Sequence, residues 1–306
     1  MPSMHETETV PLPSTTGVLM EAYCKDFQTR TCAKLEEIDG SLRFSKDSWD
    51  REGGGGGLTR IGGEGAVIEK GGVNTSAVHG LLPEGPARRL GLAPALFFAT
   101  GVSLVIHPRS PLVPTIHLNL RYIELGSGEA WFGGGVDLTP FYPYEEDIRH
   151  FHRVLKDACE KFGQGSYARY KAWCDRYFFI RHRNETRGVG GIFFDRLRGN
   201  AETNFGFVKE VGESFLPAYV PIIEKHVGEE WGELERSWQL VRRGRYVEFN
   251  LMYDQGTLFG LETNGRVESI LMSLPPLARW DYDVRPEPGS REARLIEILT
   301  HPRDWA

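Results

Sequence analysis

The sequence predicts an α/β protein of the α+β type, a single domain in which a large antiparallel sheet is covered by helices. Three observations predict it. Two strand-like segments, about Gly101–His107 and Thr115–Glu124, are joined by the short proline-bounded loop Pro108–Pro114. Segments of helical period lie on both sides of them in the chain. No linker separates two compositionally distinct halves, so one layered core accounts for the whole length.

Taken in order, a polar lead (residues 1–16) is expected to be a flexible segment, and the domain is expected to span 17–306. Met20, Tyr23, Phe27, Leu35 and Ile38 recur near helical spacing and predict a helix over Val18–Ile38. Glycine-rich, β-like pieces follow over Ser41–Gly80, then a Pro/Gly loop at Leu82–Pro94. In Thr115–Glu124, Ile116, Leu118, Leu120 and Tyr122 share one face, while Thr115, His117, Asn119 and Arg121 share the other. Helices are predicted over Glu145–Phe162, Ser166–His182, Phe205–His226 and Glu230–Val241, with an apolar piece at Gly191–Leu197. Tyr246–Tyr253 alternates and predicts a strand; Asp254–Gly256 and Asn264-Gly265 predict turns, and Ser290–Thr300 a last helix.

The net charge of −6 argues against a general nucleic-acid binder. The four cysteines form no C-x-x-C pair, as expected of reduced thiols. The longest apolar stretch, Ala95–Ile106, is too short for a membrane helix, and the N-terminus has neither the charge nor the apolar core of a signal peptide. A soluble cytoplasmic protein is expected.

The 36 glycines in 306 residues exceed the usual ~7%. Gly53–Gly57, Gly133–Gly135 and the Gly188–Gly191 cluster are not followed by a phosphate-binding pattern, which argues against a nucleotide site. No H-E-x-x-H is present, and His150 and His152 lie about 200° apart on a helix, so they cannot share one ion. The polar strand faces carry more. A hairpin centred on Leu112 places His107 opposite His117, Val105 opposite Asn119 and Ser103 opposite Arg121, all on one face. That face reads either as a solvated exterior or as the floor of a site for an anionic ligand, with Arg121 for a carboxylate and His117 for proton transfer. Asp137, behind three glycines, reads equally as a turn residue or a site residue. The basic clusters Arg181–Arg187 and Arg242–Arg245 read mostly as solvated faces.

Four ordered motifs go further: Trp131-Phe-Gly-Gly-Gly-Val-Asp-Leu-Thr-Pro-Phe-Tyr142, Arg181-His-Arg-Asn-Glu-x-Arg-Gly-x-Gly-Gly191, Arg242-Arg-Gly-Arg-Tyr-Val-Glu-Phe-Asn250 and Ser269-Ile-Leu-Met-Ser-x-Pro-Pro276. With them the chain resembles the oxygen-dependent coproporphyrinogen III oxidases, from about Glu21 to Asp304-Trp305. The resemblance implies a homodimer built on a flat antiparallel sheet. It also implies oxidative decarboxylation of two propionates of coproporphyrinogen III to vinyl groups, giving protoporphyrinogen IX in haem biosynthesis. Molecular oxygen is the implied co-substrate, and no organic cofactor is expected.

The implied catalytic residues are His117, Asp137 and Arg121, with Asp137 accepting a pyrrole N–H. The implied substrate contacts are Ser103, Asn119, Leu120, Arg121, Asn264, Gly265 and Arg266, and the implied dimer segment is about Tyr246–Asp281. His107, His117, His152 and His182 match proposed metal ligands of bacterial members, but no tightly held metal is expected. The family's usual Asp-Arg-Gly-Thr reads Asp254-Gln255-Gly256-Thr257 here, which removes one cation, and its usual Gly-Gly-Arg reads Asn264-Gly265-Arg266. Two other readings stay open: a non-catalytic tetrapyrrole carrier using the same pocket, and a metal-dependent hydrolase built on the four histidines.

Overall fold

The computed structural model describes residues 13–82, 84–90, 94–262 and 265–306. The first element, α1 (Thr15–Asp39), starts where the Ser14 hydroxyl accepts the Gly17 N–H at 3.2 Å. It bears out the predicted helix and extends it at the N-terminal end. The expected boundary between a flexible lead and the domain therefore falls inside α1, and residues 1–12 lie outside the described residues. At its far end the Asp39 carboxylate accepts backbone N–H groups from Leu42, Ala66, Val67 and Ile68 at 2.8–3.0 Å, which ties the helix to the sheet.

The strands follow: β1 (Ser45–Asp50), β2 (Gly55–Gly63), β3 (Ile68–Leu81), then after the short helix α2 (Glu84–Leu90) come β4 (Leu96–Pro108), β5 (Thr115–Leu125) and β6 (Ala130–Thr139). Two helices, α3 (Glu145–Glu160) and α4 (Ser166–Tyr177), precede a small ribbon of β7 (Phe179–Ile180) and β8 (Glu185–Thr186), and then β9 (Gly190–Leu197). The seven-stranded sheet has the order β1-β2-β3-β4-β5-β6-β9 with every pair antiparallel. The chain closes with α5 (Ala201–Glu213), α6 (Phe215–His226), α7 (Glu233–Met252), α8 (Gln255–Glu262), α9 (Val267–Leu271) and α10 (Arg291–Thr300). The predicted α+β class is thus observed.

One sheet face is aliphatic. Leu104 and Ile106 of β4, Ile116, Leu118 and Leu120 of β5, and Val136 and Leu138 of β6 are fully buried in one core with residues of α1, α3, α5, α6 and α10. Each such side chain contributes about 1.5–3 kcal/mol by leaving water. The other face is covered only at its margins. On one side, Ser269 of α9 meets Thr59 of β2 at 2.7 Å and Met272 lies against Gly72 of β3. On the other, Trp173 and Tyr177 of α4 pack on Phe193 of β9, with Tyr177 stacked on Phe193 at 4.2 Å. Between these margins Ser103, His117, Asn119 and Arg121 remain half-buried.

Five expectations are corrected. The β4–β5 register is displaced by two residues: Val105 lies opposite His117, Ser103 opposite Asn119 and Gly101 opposite Arg121. The turn tightens at Ser110, whose hydroxyl accepts Leu112 N–H and whose carbonyl accepts Val113 N–H, so it centres one residue early. A shift of two keeps every side chain on its face. The helix expected to reach His182 stops at Tyr177, and Phe179–Ile180 pair with Glu185–Thr186 through the positive-φ residue Asn184. The segment expected over Phe205–His226 is two helices meeting at Ser214. The strand expected at Tyr246–Tyr253 is the end of α7, whose buried Tyr246, Phe249 and Asn250 follow helical spacing. Accordingly Asp254 makes no hairpin: its Oδ2 accepts Thr257 N–H at 2.8 Å at the start of α8. Of the second turn, Asn264 lies outside the described residues, and Gly265 N–H donates to the Gly260 carbonyl at 2.8 Å.

Candidate active site

Strand register arranges the half-covered face in rows. His117 lies opposite Val105 on one side and Asp137 on the other; Asn119 lies between Ser103 and Gly135; Arg121 lies between Gly101 and Gly133. The Asn119 row continues through Asn74 and Thr59 to Asp47 on β1, and through Gly135 to Phe193 on β9.

Asp137 is buried to 2% exposure at the closed end of this face. Its Oδ1 accepts from His117 Nδ1 at 2.7 Å, and both its oxygens accept from Arg187 Nη2, at 2.9 and 2.7 Å. Burial works to raise the Asp137 pKa, but the Arg187 charge and the bonds from His117 and Arg187 prevail and hold it below the ordinary carboxylate value. An ionised carboxylate only accepts, so Nδ1 of His117 carries a proton and Nε2 is left as the free ring nitrogen. Among the described residues Nε2 makes no hydrogen bond, and the side chain keeps 20% exposure toward the open strip.

Arg121 lies further along the strip. Nη1 donates to Asn119 Oδ1 and Nη2 to Asp195 Oδ1, both at 2.8 Å, and its guanidinium faces the Phe193 ring. Gly133 makes this possible: a Cβ there would come within 2.8 Å of Arg121 Nε and 2.5 Å of Asp195 Oδ1. Arg121 and Asp195 are each 30% exposed, and such a pair is worth about 0–1 kcal/mol, so an incoming carboxylate can replace Asp195 at little cost. Arg266, just before α9, pairs with Asp47 on β1. Asp47 and Asn119 share a row four strand spacings apart, about 19 Å, so cations stand at both ends of the strip. Toward the far ends of β3–β6, Val78, Ala99, Ile123 and Trp131 make the same face apolar. The strip therefore suits a broad, partly apolar ligand with carboxylates at its rim.

A family model described as coproporphyrinogen III oxidase matches residues 19–305. The chain belongs to that family. Coproporphyrinogen III, a reduced tetrapyrrole bearing four propionates, is the substrate the family implies, and oxidation of it in porphyrin biosynthesis is the general activity. Membership in the coproporphyrinogen III oxidases spans every residue of the strip.

Several site residues fall where sequence placed them and others do not. Ser103, His117, Asn119 and Arg121 share the half-covered face. Leu120 does not: it is fully buried in the aliphatic core, because neighbours on a strand face opposite ways. Asp137 is not an open acceptor for a pyrrole N–H, since both its oxygens are engaged by protein groups in the interior. Gly265 and Arg266 belong to the α9 margin, away from His117; Asn264 lies outside the described residues.

The four histidines do not converge. His107 is buried, with Nε2 on the Ser273 carbonyl and Nδ1 on Thr115 Oγ1. His152 is held by Tyr167 Oη and the Val189 carbonyl among the helices. His182 bonds Tyr253 Oη and Glu248 at the surface. Among the described residues no three metal-ligating side chains come together, which removes the geometric premise of the four-histidine hydrolase. Sequence reasoning missed Arg187, Asn250 and Asp195. The signal for Arg187 was its place at the entry to Gly188-x-Gly190-Gly191, where a solvated arginine has no need of such close packing.

Proposed function

We propose that the protein catalyses the oxygen-dependent decarboxylation of two propionates of coproporphyrinogen III to vinyl groups, giving protoporphyrinogen IX. The observation that carries the reading is His117, set by Asp137 with Nε2 free on a strip that has arginines at both ends. Each turnover converts R–CH2–CH2–COO⁻ and O2, with one proton, into R–CH=CH2, CO2 and H2O2. The chain's part is to hold and to move protons. Arg121 binds a propionate with the forked geometry of a guanidinium, and His117 exchanges the proton at the reacting side chain. The two electrons that reduce O2 come from the propionate as its β C–H and C–COO⁻ bonds break; the electron-rich pyrrole that carries the side chain relays them and ends in its starting oxidation state, so no organic cofactor is called for. Oxygen dependence is supported by the four motifs shared with the oxygen-dependent enzymes.

Purified protein with coproporphyrinogen in an oxygen electrode, with fluorescence detection of the oxidised product, tests this. Oxygen uptake matched to product is expected. Undiminished turnover without oxygen, or binding without turnover as in a carrier, would overturn it. Activity surviving exhaustive dialysis against chelator is expected; activity restored only by one returned ion would mark a required metal.

The working form proposed is a cytoplasmic homodimer paired through about Tyr246–Asp281. Support comes from apolar side chains left outside in this segment, among them Met252 at 55% and Trp280 at 53% exposure. No described helix is long and apolar enough to cross a membrane. Light scattering at micromolar protein should give twice the 34.5 kDa chain mass, and a monomer mass would end the dimer reading.

A further inference from the structure

Arg187 is the most heavily held group behind His117. Its backbone N–H donates to the Phe178 carbonyl at 2.8 Å, so the β7–β8 ribbon fixes where the side chain enters. The guanidinium gives Nη2 to both oxygens of Asp137 and Nη1 to Asn250 Oδ1 of α7 at 2.7 Å. It sits against the rings of Phe178, Tyr246 and Phe249, 4.1, 4.5 and 5.0 Å from their centroids. Arg187 and Asp137 are both 2% exposed, and among the described residues Arg187 Nε has no partner.

Stability does not ask for this arrangement. A buried ion pair is commonly matched or bettered by apolar residues of similar volume, and three rings already line the space. What an apolar residue cannot do is keep Asp137 ionised and turned so that Oδ1 meets His117 Nδ1. The groups facing His117 are few: Asp137 from β6, Arg187 after β8 with Nη2 3.5 Å from Nδ1, and the Phe178 ring after α4. Behind them stand Asn250 and Tyr246 of α7 and the buried Cys174 thiol of α4. Left alone with His117, an aspartate would draw a second proton onto the ring. A guanidinium bonded to both its oxygens cancels that pull.

We propose that Arg187 is a positioning residue of the reaction: by clamping Asp137 it orients His117 so that Nδ1 donates to the carboxylate, leaving Nε2 open to the substrate. The assignment rests on His117 being the proton-handling group of coproporphyrinogen turnover.

The test compares the wild type with Arg187→Gln and Arg187→Lys. Ring ¹⁵N shifts of His117, identified by their loss in His117→Gln, are followed against pH. kcat and KM on coproporphyrinogen are measured per folded molecule over the same range. In Arg187→Gln the uncancelled carboxylate should move both the ring titration and the acid limb of kcat to higher pH by about one unit, with kcat at neutral pH down by about tenfold or more and KM within about threefold. Arg187→Lys keeps the charge without the fork, so the acid limb should stay in place while kcat falls by roughly three- to thirtyfold.

Identical His117 titration in the wild type and Arg187→Gln overturns the proposal, and so does wild-type kcat in Arg187→Lys. If Arg187→Gln does not fold, the lysine variant still decides. Wild-type turnover without oxygen would overturn the oxygen-dependent reading alone, because the ring titration reads Arg187 independently of the oxidant.

Discussion

Asp137 is caught between a guanidinium and an imidazole in the interior, and its replacement separates structural from chemical roles. In Asp137→Asn the amide keeps the shape but leaves the Arg187 charge buried and uncompensated, which costs about 3–5 kcal/mol when one partner of a buried pair is lost. Denaturant unfolding should show that loss. His117→Gln should unfold within about 1 kcal/mol of the wild type, because an exposed ring tip leaves little unpaired. Its turnover should fall by ~10²–10⁴-fold, the usual contribution of a positioned proton-transfer group. A large stability loss in His117→Gln would make the histidine a structural residue. The carboxylate of Asp39 sets a second expectation. Burial works to raise its pKa, but backbone donors from Ile68, Val67 and Leu42 and the Ser41 hydroxyl lower it to about 2. An unfolded aspartate titrates near 3.9, so the stability this group contributes is complete above about pH 4 and is lost as pH falls toward 2. Unfolding free energy measured from pH 5 to 2 should drop steeply in the wild type and less steeply in Asp39→Asn. Parallel curves would show that the anchor carries no linkage.

At the scale of elements, β6 gives the sharpest test of how backbone shapes the site. Gly133→Ala puts a methyl group against the Arg121 guanidinium and the Asp195 carboxylate, which can swing away because both are flexible ends. Thermal stability should hold while KM for the propionate-bearing substrate rises about tenfold, equivalent to about 1.4 kcal/mol. Unchanged KM would mean that Arg121 does not grip the substrate from its present place. On the opposite face, Leu118→Ala should cost about 2–5 kcal/mol with normal KM in the molecules that remain folded. The same strands show why some elements could be read from sequence and others not. β5 was legible because one face is buried and the other is not, so alternation survives in the residue types. The end of α7 was not. Val247, Phe249, Leu251 and Tyr253 alternate by accident in a window too short to separate a period of 2 from one of 3.6. Only the partners of Tyr246 and Asn250, which are distant in sequence, decide the matter.

At the scale of the whole molecule, the His117 end of the site is assembled from pieces that share no local signal. His117 and Asp137 come from neighbouring strands, Arg187 from the far side of α3 and α4, and Asn250 from α7. Pairing within a sheet announces itself by alternation; a guanidinium that crosses from a ribbon into the core does not. That is why Arg121 and His117 were readable and Arg187 passed for a solvated charge. Leu120 is the opposite case: the motif around it implied a substrate contact, while strand geometry turns its side chain into the core.

The position of β9 has a consequence for how the chain comes off the ribosome. Asp137 and its partner Arg187 are 50 residues apart, and β9, which covers the edge of β6, is made only after Arg187. At ~5–20 residues per second, β6 stands as a bare sheet edge for roughly three to ten seconds of synthesis, with an aspartate waiting for its counter-charge. A nascent chain stalled soon after Thr139 should therefore recruit chaperones or aggregate. One released beyond Met252, with β9, Arg187 and Asn250 all available, can close the edge and neutralise the charge in one event.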